Sequence, residues 1–510
     1  MAVGGLAVAA AGTMAAVGGL VLTGPSAVTG SLAASSGGAA APSGGGTSAS
    51  SIKWEPCENG AECATLPVPV DWAHPDGQKF GLALARRKAT DPKARVGTLV
   101  FGPGGPGDVG AGRVVENPDR FSKEIQRRFD IVGLDPRGVG KSNPVVCSTT
   151  LLAARPSPLM TGQADFEATV AYNNELRKDC RARTGPLADH VDTLSMVQDL
   201  EALRKALGEG RLNFHGSSYG TLLGEQYAEK YPGRIRAMLL ESVVDHSLPN
   251  ARQFLKTQAA TAQDSFDEFV KWCASDTGCA LHGRDVRALM ADLRAKAERG
   301  ELTDPSNPAK KVQPVQLVEK VFRKLYGPDY QAIATYLAGF DAARPAERPA
   351  GRTASAPAEQ PVKAAEATTA DPFLSVFCSD WSLPARNYRE YAANARVMAR
   401  TAPDLPYTRP LLAAAGCLGA PQPVSNPQHR LKVRGSAPIL LVNGLHDPAS
   451  GYAWATNAAK QMGRSGRLLT YEGAGHGSAR SGPCMESATD AYLVSLTLPA
   501  NGARCPAVSS

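Results

Sequence analysis

No lysine or arginine occurs in this chain before Lys53. Residues 1–22 are uncharged and rich in alanine, glycine, valine and leucine, and sequence rich in serine, glycine and alanine follows as far as Ser51. This composition is typical of the apolar part of a secretory signal followed by a flexible leader, although the basic segment that normally precedes it would have to lie upstream. An uncleaved membrane anchor is the alternative, but so many glycines and alanines would form a weak span. We therefore predict a signal and leader at residues 1–50, an extracellular protein and no stable membrane association.

The chain also lacks any Cys-x-x-Cys pair, and its eight histidines are scattered, so no zinc site is indicated. We expect neither a metal nor a cofactor. The ten cysteines fall in nearby pairs, and an even number in an exported chain favours disulfides. Sequence does not fix their connectivity. The hypothesis is that neighbours pair: Cys57 with Cys63, Cys147 with Cys180, Cys273 with Cys279, Cys378 with Cys417, and Cys484 with Cys505.

A stripe of basic residues is absent as well. The net charge of +7 is dispersed along the chain, so nucleic acid is not an expected partner. No internal repeat is found. Because 510 residues exceed a single compact core, we expect one large domain with an insertion, acting as a monomer.

Two glycine-rich segments match nucleotide-binding loops only superficially. Residues 102–107, Gly-Pro-Gly-Gly-Pro-Gly, follow a predicted strand and fit Gly-x-Gly-x-x-Gly. Their two prolines remove N–H groups that a pyrophosphate would need, and no convincing helix follows. Residues 135–142, Asp-Pro-Arg-Gly-Val-Gly-Lys-Ser, end like a P-loop but begin with Asp135 where glycine is required. We expect the second loop to brace the active-site face, with Asp135 and Arg137 in structural hydrogen bonds.

The most informative segment is residues 212–221, Leu-Asn-Phe-His-Gly-Ser-Ser-Tyr-Gly-Thr. It predicts a short strand that enters Gly-x-Ser-x-Gly and continues into a helix. A serine hydroxyl is a poor nucleophile unless the backbone holds it out of such a strand-to-helix turn. Gly216 and Gly220 remove side chains that would collide where strand and helix pack. Ser218 is therefore the predicted nucleophile.

An acid and a histidine should follow in the order Ser, Asp or Glu, His. The apolar run at residues 437–442 predicts a strand, and Asp447 lies in the turn after it. A second predicted strand at residues 468–471 leads into a glycine-rich loop that carries His476. We predict that His476 takes the proton of Ser218 and that Asp447 orients the imidazole.

Three other residues compete for these roles. Asp245 follows the strand before the insertion, where some hydrolases carry their acid. His446 sits in the same turn as Asp447, and His215 directly precedes the nucleophile turn and is expected to pack beside it. His476 is preferred as the base because both of its neighbours are glycines, which allow a close approach to Ser218.

An oxyanion intermediate needs two backbone N–H donors. The helix that starts after Ser218 points the Tyr219 N–H toward the reacting carbonyl. The loop at residues 102–107 can supply the second donor, at Gly104 or Gly105. A plain turn is the alternative interpretation of that loop.

Together, these motifs resemble those of the α/β-hydrolase serine peptidases related to prolyl aminopeptidase. The motifs are Pro-Gly-Gly-Pro-Gly at 103–107, Asp-Pro-Arg-Gly-Val-Gly-Lys-Ser at 135–142, Gly-Ser-Ser-Tyr-Gly at 216–220, the Asp447 turn, and Gly-Ala-Gly-His-Gly at 473–477. The similarity covers roughly residues 50–510 and is greatest to secreted bacterial tripeptidyl aminopeptidases, since Pro103 stands where prolyl aminopeptidases often have histidine. It implies a serine exopeptidase that releases tripeptides, or single residues, from peptides with a free amino terminus. Residues 241–245, Glu-Ser-Val-Val-Asp, depart from the expected Asp-Gly-Val-Val-Asp.

An aminopeptidase must bind a free α-amino group, which requires a partly desolvated carboxylate near the nucleophile. Asp380 is one candidate, because it lies between aromatic residues in the family's Cys-x-Asp element; its alternative role is to organise the cap. Glu241 is the second candidate, because it ends a core strand. Either acid could instead pair with a nearby arginine or cap a helix.

Two other functions stay open. An esterase or lipase could use the same triad, and a large apolar pocket without carboxylates would favour it over a peptidase. A hydrolase fold used only for binding is disfavoured, because the triad and oxyanion elements are complete.

The predicted fold class is α/β: an α/β-hydrolase fold, in which a mostly parallel sheet is flanked by helices, with an inserted helical cap. The core comprises residues 51–245 and 436–510, and the cap comprises residues 246–435, where strand patterns stop. Two sets of apolar residues predict amphipathic helices in the cap: Phe266, Phe269, Val270 and Trp272, and Leu317, Val318, Val321, Phe322 and Leu325. Residues 341–370 lack periodicity and predict an exposed, mobile loop.

Overall fold

The computed structural model describes residues 52–342 and 367–508. The predicted signal and leader at residues 1–50 lie outside these ranges, as does most of the loop predicted at residues 341–370. None of the helices within the described ranges combines the length and the apolar character that a membrane crossing requires.

The described residues contain fourteen strands and fifteen α-helices. The strands are β1 Glu55–Pro56, β2 Glu62–Pro69, β3 Lys79–Arg87, β4 Gly97–Gly102, β5 Phe129–Leu134, β6 Val146–Ser148, β7 Leu212–Ser217, β8 Ile235–Glu241, β9 Thr303–Asp304, β10 Asn307–Lys311, β11 Thr368–Ala370, β12 Ile439–His446, β13 Gly466–Ala474 and β14 Arg504–Cys505. The helices are α1 Gly110–Glu116, α2 Lys123–Arg128, α3 Thr149–Ala153, α4 Gln163–Thr184, α5 Thr193–Ala206, α6 Gly220–Lys230, α7 Ala251–Ser275, α8 Val286–Glu298, α9 Pro314–Lys324, α10 Tyr330–Ala342, α11 Pro372–Asp380, α12 Tyr388–Thr401, α13 Arg409–Gly416, α14 Tyr452–Met462 and α15 Pro483–Ser495.

Ten of these strands form one sheet in the order β1-β2-β3-β5-β4-β7-β8-β12-β13-β14. The pairs among β1, β2, β3 and β5 are antiparallel, and every pair from β5 to β14 is parallel. Parallel strands end at the same edge of a sheet, so the carboxyl ends of β7, β8, β12 and β13 meet there. The predicted α/β-hydrolase fold is confirmed.

The central strands are mainly apolar because helices cover both faces of the sheet. In β12, Ile439 and Leu441 belong to the apolar cluster on one face, and Leu440 and Val442 belong to the cluster on the other. All four are fully buried. This burial explains why the sequence shows a continuous apolar run rather than alternation.

The chain between β8 and β12 is mainly helical. The predicted amphipathic helices are confirmed as α7 and α9, and their apolar faces form a cluster of their own around Phe266, Phe269, Leu317 and Phe322. The expectation that strands stop in this segment is wrong in detail, because β9 and β10 form a hairpin and β11 pairs with β6 of the core. Residues 368–370 are therefore a strand rather than part of a loop. The cap boundaries at residues 246 and 435 stay a prediction.

Asp135 and Arg137, in the loop after β5, form structural hydrogen bonds as predicted. The Arg137 guanidinium is fully buried and donates to both carboxylate oxygens of Asp199 at 2.7 Å, and to three main-chain carbonyl oxygens. Asp135 accepts the main-chain N–H groups of Ala111 and Lys141 at 3.0 Å. The side chains of Asp135 and Arg137 are therefore structural. Arg137 and Asp199 form a buried ion pair, and removing either partner of such a pair costs about 3–5 kcal/mol.

All five predicted cysteine pairs are disulfides, and no described cysteine is free. The Cys378–Cys417 bond joins the end of α11 to the residue after α13. The loop that it closes is long enough for the crosslink to reduce the entropy of the unfolded chain appreciably. It fixes two cap helices that contribute to the cavity described below.

Candidate active site

Ser218 lies in the sharp turn between β7 and α6. Its φ is +56°, a left-handed conformation that costs a non-glycine residue about 1–3 kcal/mol. The Ser218 N–H donates to the Glu241 carbonyl oxygen at 2.8 Å, and the Thr221 hydroxyl donates to the Ser218 carbonyl oxygen at 2.7 Å. These bonds hold the strained turn, and Ser218 lines an open cavity under the cap helices.

The two glycines of the turn allow the close packing that was predicted for them. A β-carbon at Gly216 would collide with the carbonyl oxygen of Gly220, and one at Gly220 would collide with the carbonyl oxygen of Gly102. Strand β7, helix α6 and the end of β4 can therefore pack around Ser218 only because these positions lack side chains.

Asp447 and His476 are brought together at the ends of β12 and β13. The His476 Nδ1 atom lies 2.9 Å from Asp447 Oδ1 and 3.0 Å from Oδ2. Asp447 is 1% exposed, and its Oδ1 also accepts the N–H groups of Ala449 and Ser450 at 2.9 Å. The carboxylate is thus fixed in orientation, and its negative charge is directed at the imidazole.

The surroundings of His476 set its protonation behaviour. Burial by itself lowers the pKa of His476. The charge and the hydrogen bond of Asp447 raise that pKa, and the charge of Glu241 raises it further. These effects outweigh burial, so the pKa of His476 is raised above its usual value. The ring also packs edge-on against Tyr326, with the ring centres 5.0 Å apart. The glycines on either side, Gly475 and Gly477, have φ values of +107° and +98°. These conformations favour glycine and let the loop turn inward.

The Ser218 hydroxyl forms no hydrogen bond with His476 among the described residues. Nucleophile and base are often further apart without substrate. They are nevertheless linked through residues 241 and 242. The Glu241 carbonyl oxygen holds Ser218, and the Ser242 hydroxyl oxygen accepts the Gly477 N–H at 2.8 Å. One dipeptide therefore connects the serine turn to the histidine loop.

The loop between β4 and α1 packs against Ser218. A β-carbon at Gly104 would lie 2.7 Å from the Ser218 β-carbon and 3.2 Å from its Oγ, so only glycine fits there. Gly105 and Tyr219 line the same cavity as Ser218. The three candidate oxyanion donors thus surround the serine.

Asp380 has no solvent contact: it is 0% exposed at the end of α11. Its carboxylate accepts four donors, namely the Thr193 N–H and hydroxyl at 2.8 and 2.6 Å, the Tyr219 hydroxyl at 2.8 Å and the Asn426 amide at 2.8 Å. Burial raises the pKa of Asp380 to about 7, although these hydrogen bonds oppose it. A carboxylate in this state has no free lone pair for a substrate amine. The geometry favours its alternative role of organising the cap around Tyr219.

Glu241 is enclosed in a similar way. Its carboxylate accepts the Ala479 N–H at 2.8 Å and contacts His215 Nε2 at 3.1 Å and Arg120 at 3.2 Å. Burial alone would raise the pKa of Glu241, but His215, Arg120 and the Ala479 N–H lower it far below its usual range. Glu241 is therefore an ionised, buried carboxylate that is already paired with donors of the protein.

The competing acid and bases have other partners. Asp245 accepts hydrogen bonds from Ser247, Asn457 and Gln461. His446 Nδ1 lies 2.9 Å from Asp264 of helix α7. His215 packs against the rings of Phe101 and Phe121, beside the serine turn as expected.

The cavity beside Ser218 is open to solvent on one side. Among the described residues that line it, none is acidic, and Arg409 is the one with a charge. Eight aromatic side chains supply much of the wall: Tyr219, Phe254, Phe322, Tyr326, Phe373, Phe377, Trp381 and Trp454. Within residues 52–342 and 367–508, no group of three or more histidine, cysteine, aspartate or glutamate residues is placed to hold a metal ion.

A parallel sheet with a serine in a strand-to-helix turn, followed in the chain by an acid and a histidine at later strand ends, defines an α/β hydrolase. A sequence profile described as "TAP-like protein" matches residues 406–505. Serine protease Hip1 of Mycobacterium tuberculosis is 31% identical to this chain over 89% of it and 91% of the relative. The chain belongs to the TAP-like family of α/β hydrolases and is a serine peptidase of that fold.

Two further relatives show the range of names in this group. A tripeptidyl aminopeptidase of Streptomyces lividans is 28% identical, with 89% of this chain and 87% of the relative covered. A protein named carboxylesterase B of Mycobacterium tuberculosis is 30% identical, with coverages of 87% and 86%. Both matches cover more than four fifths of this chain.

Sequence analysis missed two residues of the site. Arg120, in a turn between α1 and α2, donates to Ser217 Oγ at 2.8 Å as well as to Glu241. No local pattern indicates it, because its partners are about a hundred residues away. Arg409 lines the cavity as the first residue of α13, and its only local signal is that a basic residue is unfavourable at the start of a helix.

Ser242 offers a first test of the site. It has a φ of +58°, so Ser242→Gly should relieve strain while removing the hydrogen bond to Gly477. We expect kcat to fall about 2–10-fold, the equivalent of one hydrogen bond, with unfolding stability unchanged or improved. Ser242→Ala, which keeps the strain, should lose a similar fraction of kcat and also some stability. Full activity in both variants would show that this bond does not position His476.

Proposed function

We propose that the chain hydrolyses peptides through an acyl-enzyme formed on Ser218. His476 Nε2 takes the proton as Ser218 Oγ attacks the scissile carbonyl carbon, and the Tyr219 N–H with that of Gly104 or Gly105 stabilises the oxyanion. The tetrahedral intermediate collapses when His476 protonates the leaving amine. Water then attacks the acyl carbonyl carbon while His476 takes its proton. The second tetrahedral intermediate collapses when His476 returns that proton to Ser218 Oγ, which releases the acyl group as a carboxylic acid. The observation that carries this proposal is the Asp447–His476 pair at the strand ends, which residues 241 and 242 connect to a serine in a strained turn.

For the substrate, we favour peptides from which a short N-terminal fragment such as a tripeptide is released. The α-amine of a single-residue acyl group is bonded to the carbon next to the scissile carbonyl, so its carboxylate partner would have to line the cavity at Ser218. The described lining contains no carboxylate. In a tripeptide the amine lies two extended residues, or about 7 Å, further away. The relative named tripeptidyl aminopeptidase supports the same length.

A panel of p-nitroanilides tests this proposal. Ala-Ala-Ala-p-nitroanilide should be cleaved with a kcat/KM at least about tenfold above that of Ala-p-nitroanilide, because only the longer acyl group can use remote binding interactions. N-acetyl-Ala-Ala-Ala-p-nitroanilide should be cleaved poorly if the free amine is recognised. Equal cleavage of the acetylated and free tripeptides would contradict amine recognition, and a preference for the single residue would contradict the proposed fragment length.

Ester hydrolysis is a second candidate activity. It is favoured by the aromatic wall of the cavity, by the absence of acidic residues from its described lining, and by the relative named carboxylesterase B. The same acyl-enzyme would serve both substrates. Turnover of p-nitrophenyl acyl esters without turnover of any tripeptide anilide would make the esterase the better assignment.

We further propose that the protein is exported and works extracellularly, in its monomeric form, with residues 246–435 as the cap. Five disulfides fit an oxidising compartment.

A further inference from the structure

The cavity beside Ser218 contains a cation that the proposed reaction does not use. Arg409 lines it together with Ser218 and Tyr219. Its guanidinium lies over the ring of Phe373, 4.1 Å from the ring centre. The side chain is partly buried, so part of its polar surface faces a mainly aromatic space.

Arg409 is also in an unfavourable place for its own helix. It is the first residue of α13, where the positive end of the helix dipole repels a cation. Local helix physics therefore does not account for an arginine here. Such exceptions to local preference are expected where a residue serves a site.

Arg409 has an acidic neighbour, Glu319 of helix α9, but shares it with a second arginine, Arg323. The Arg409 side chain forms no hydrogen bond or ion pair with the residues that the structure describes. The carboxyl group of Glu319 lies within electrostatic range of Arg409. Burial raises the pKa of Glu319, and the positive charges of Arg323 and Arg409 oppose that rise. However, the Glu319 carboxylate is bonded to Arg323 at 2.9 Å. One acid thus faces two arginines, and the cluster keeps a positive charge.

We propose that Arg409 is a specificity-determining residue that binds a carboxylate of the substrate. A guanidinium presents a planar fork of N–H donors that matches a carboxylate in two parallel hydrogen bonds. The aromatic wall below it suits the methylene groups that would carry such a carboxylate. This inference rests on the proposed acyl transfer at Ser218, and it adds that the preferred substrate carries a negative charge.

The carboxylate could come from two sources. It could be an acidic side chain in the released fragment, or the free C-terminus of a short leaving peptide. Both present the same chemical group to Arg409, and each can be removed separately from a synthetic substrate.

The first experimental arm compares Ala-Ala-Glu-p-nitroanilide with Ala-Ala-Gln-p-nitroanilide. The second compares Ala-Ala-Ala-Ala with its C-terminal amide. In one arm, wild-type kcat/KM should favour the carboxylate form by about 10–100-fold, the usual range for a charged hydrogen-bonded pair. The pair of substrates that shows this preference identifies whether Arg409 binds an acidic side chain or a free C-terminus. Equal kcat/KM values within both pairs would overturn the proposal.

Arg409→Gln should abolish the preference by lowering kcat/KM for the carboxylate substrate alone, chiefly through KM. Arg409→Lys should restore part of it. Arg386→Gln is the control, because Arg386 is an arginine of the same inserted segment that pairs with Glu390 and is not in the cavity lining, and it should keep the wild-type preference. Equal losses on both members of each pair in Arg409→Gln would also overturn the proposal.

Two measurements keep the outcome interpretable. Titration of Ser218 with a phosphonate inhibitor counts competent active sites in every variant, so failure of the proposed acyl transfer is recognised separately. Inhibition of the wild type by N-acetyl-glutamate and by N-acetyl-glutamine, and by free and amidated trialanine, needs no variant. Stronger inhibition by the carboxylate member of a pair supports the proposal, and equal inhibition within both pairs contradicts it.

Discussion

Ser218→Ala is expected to lower kcat by about 10⁴–10⁶-fold on every substrate that the enzyme cleaves, with little change in KM. The acyl-enzyme needs the serine oxygen, and the residues that bind substrate and stabilise the oxyanion remain in place. The turn should survive, because it is held by the Ser218 N–H and carbonyl, which alanine retains. Single-turnover assays with the best substrate from the p-nitroanilide panel, and labelling by a fluorophosphonate, would measure the loss.

Ser217→Ala is the matched control for this experiment. Ser217 is the neighbouring serine, but its Oγ accepts a hydrogen bond from Arg120 and is buried. Its loss should change kcat by no more than about tenfold, as for one uncharged partner of a buried hydrogen bond. A Ser218→Ala variant that retains phosphonate labelling, or a larger loss in Ser217→Ala, would assign the nucleophile to Ser217.

The strand-end positions of the proposed triad residues could be predicted from sequence because each position depends on a local pattern. A strand, a glycine and a functional residue at the strand end are adjacent in the chain for Ser218, Asp447 and His476. Parallel strands then bring those ends together without any further information, since the order of the sheet sets the neighbours. The cysteine pairs were equally accessible, because the partners are close in sequence.

The roles of Asp380 and Glu241 could not be predicted, because they depend on distant partners. The sequence shows only that Glu241 ends a core strand and that Asp380 lies between aromatic residues in the predicted cap. Their hydrogen-bond donors come from Thr193, Tyr219 and Asn426 in one case, and from Arg120 and Ala479 in the other. A carboxylate is available to a substrate only if the protein leaves a lone pair unused, and no local pattern reports that.

Ser242 shows how a departure from a family pattern can be explained after the fact. Glycine was expected at this position, and the backbone φ of +58° explains the expectation. Serine tolerates the strain while its hydroxyl binds the histidine loop. The departure is thus a change in how the loop is held rather than in the path of the backbone.

Asp447→Asn is expected to lower kcat by about 10⁴-fold with the fold intact. Asparagine keeps an oxygen for the N–H groups of Ala449 and Ser450, but its amide group would favour the imidazole tautomer that cannot accept the serine proton. Asp245→Asn is the control, because Asp245 is bonded to Asn457 and Gln461, and it should change kcat only a few-fold. A larger loss in Asp245→Asn than in Asp447→Asn would move the acid to the earlier strand.

The pH dependence of kcat/KM gives the same variant a second, independent readout. Catalysis needs neutral His476, which predominates above its pKa, so activity of the wild type should fall as the pH drops through a pKa above the usual histidine value of about 6.5. Asp447 contributes most to raising that pKa by stabilising the charged imidazole. In Asp447→Asn the acid limb should therefore move to lower pH, even though the maximal rate is much smaller. An acid limb that stays in place would mean that the titrating group is not held by Asp447, and His446, whose pKa is raised by Asp264, would then be the residue to replace.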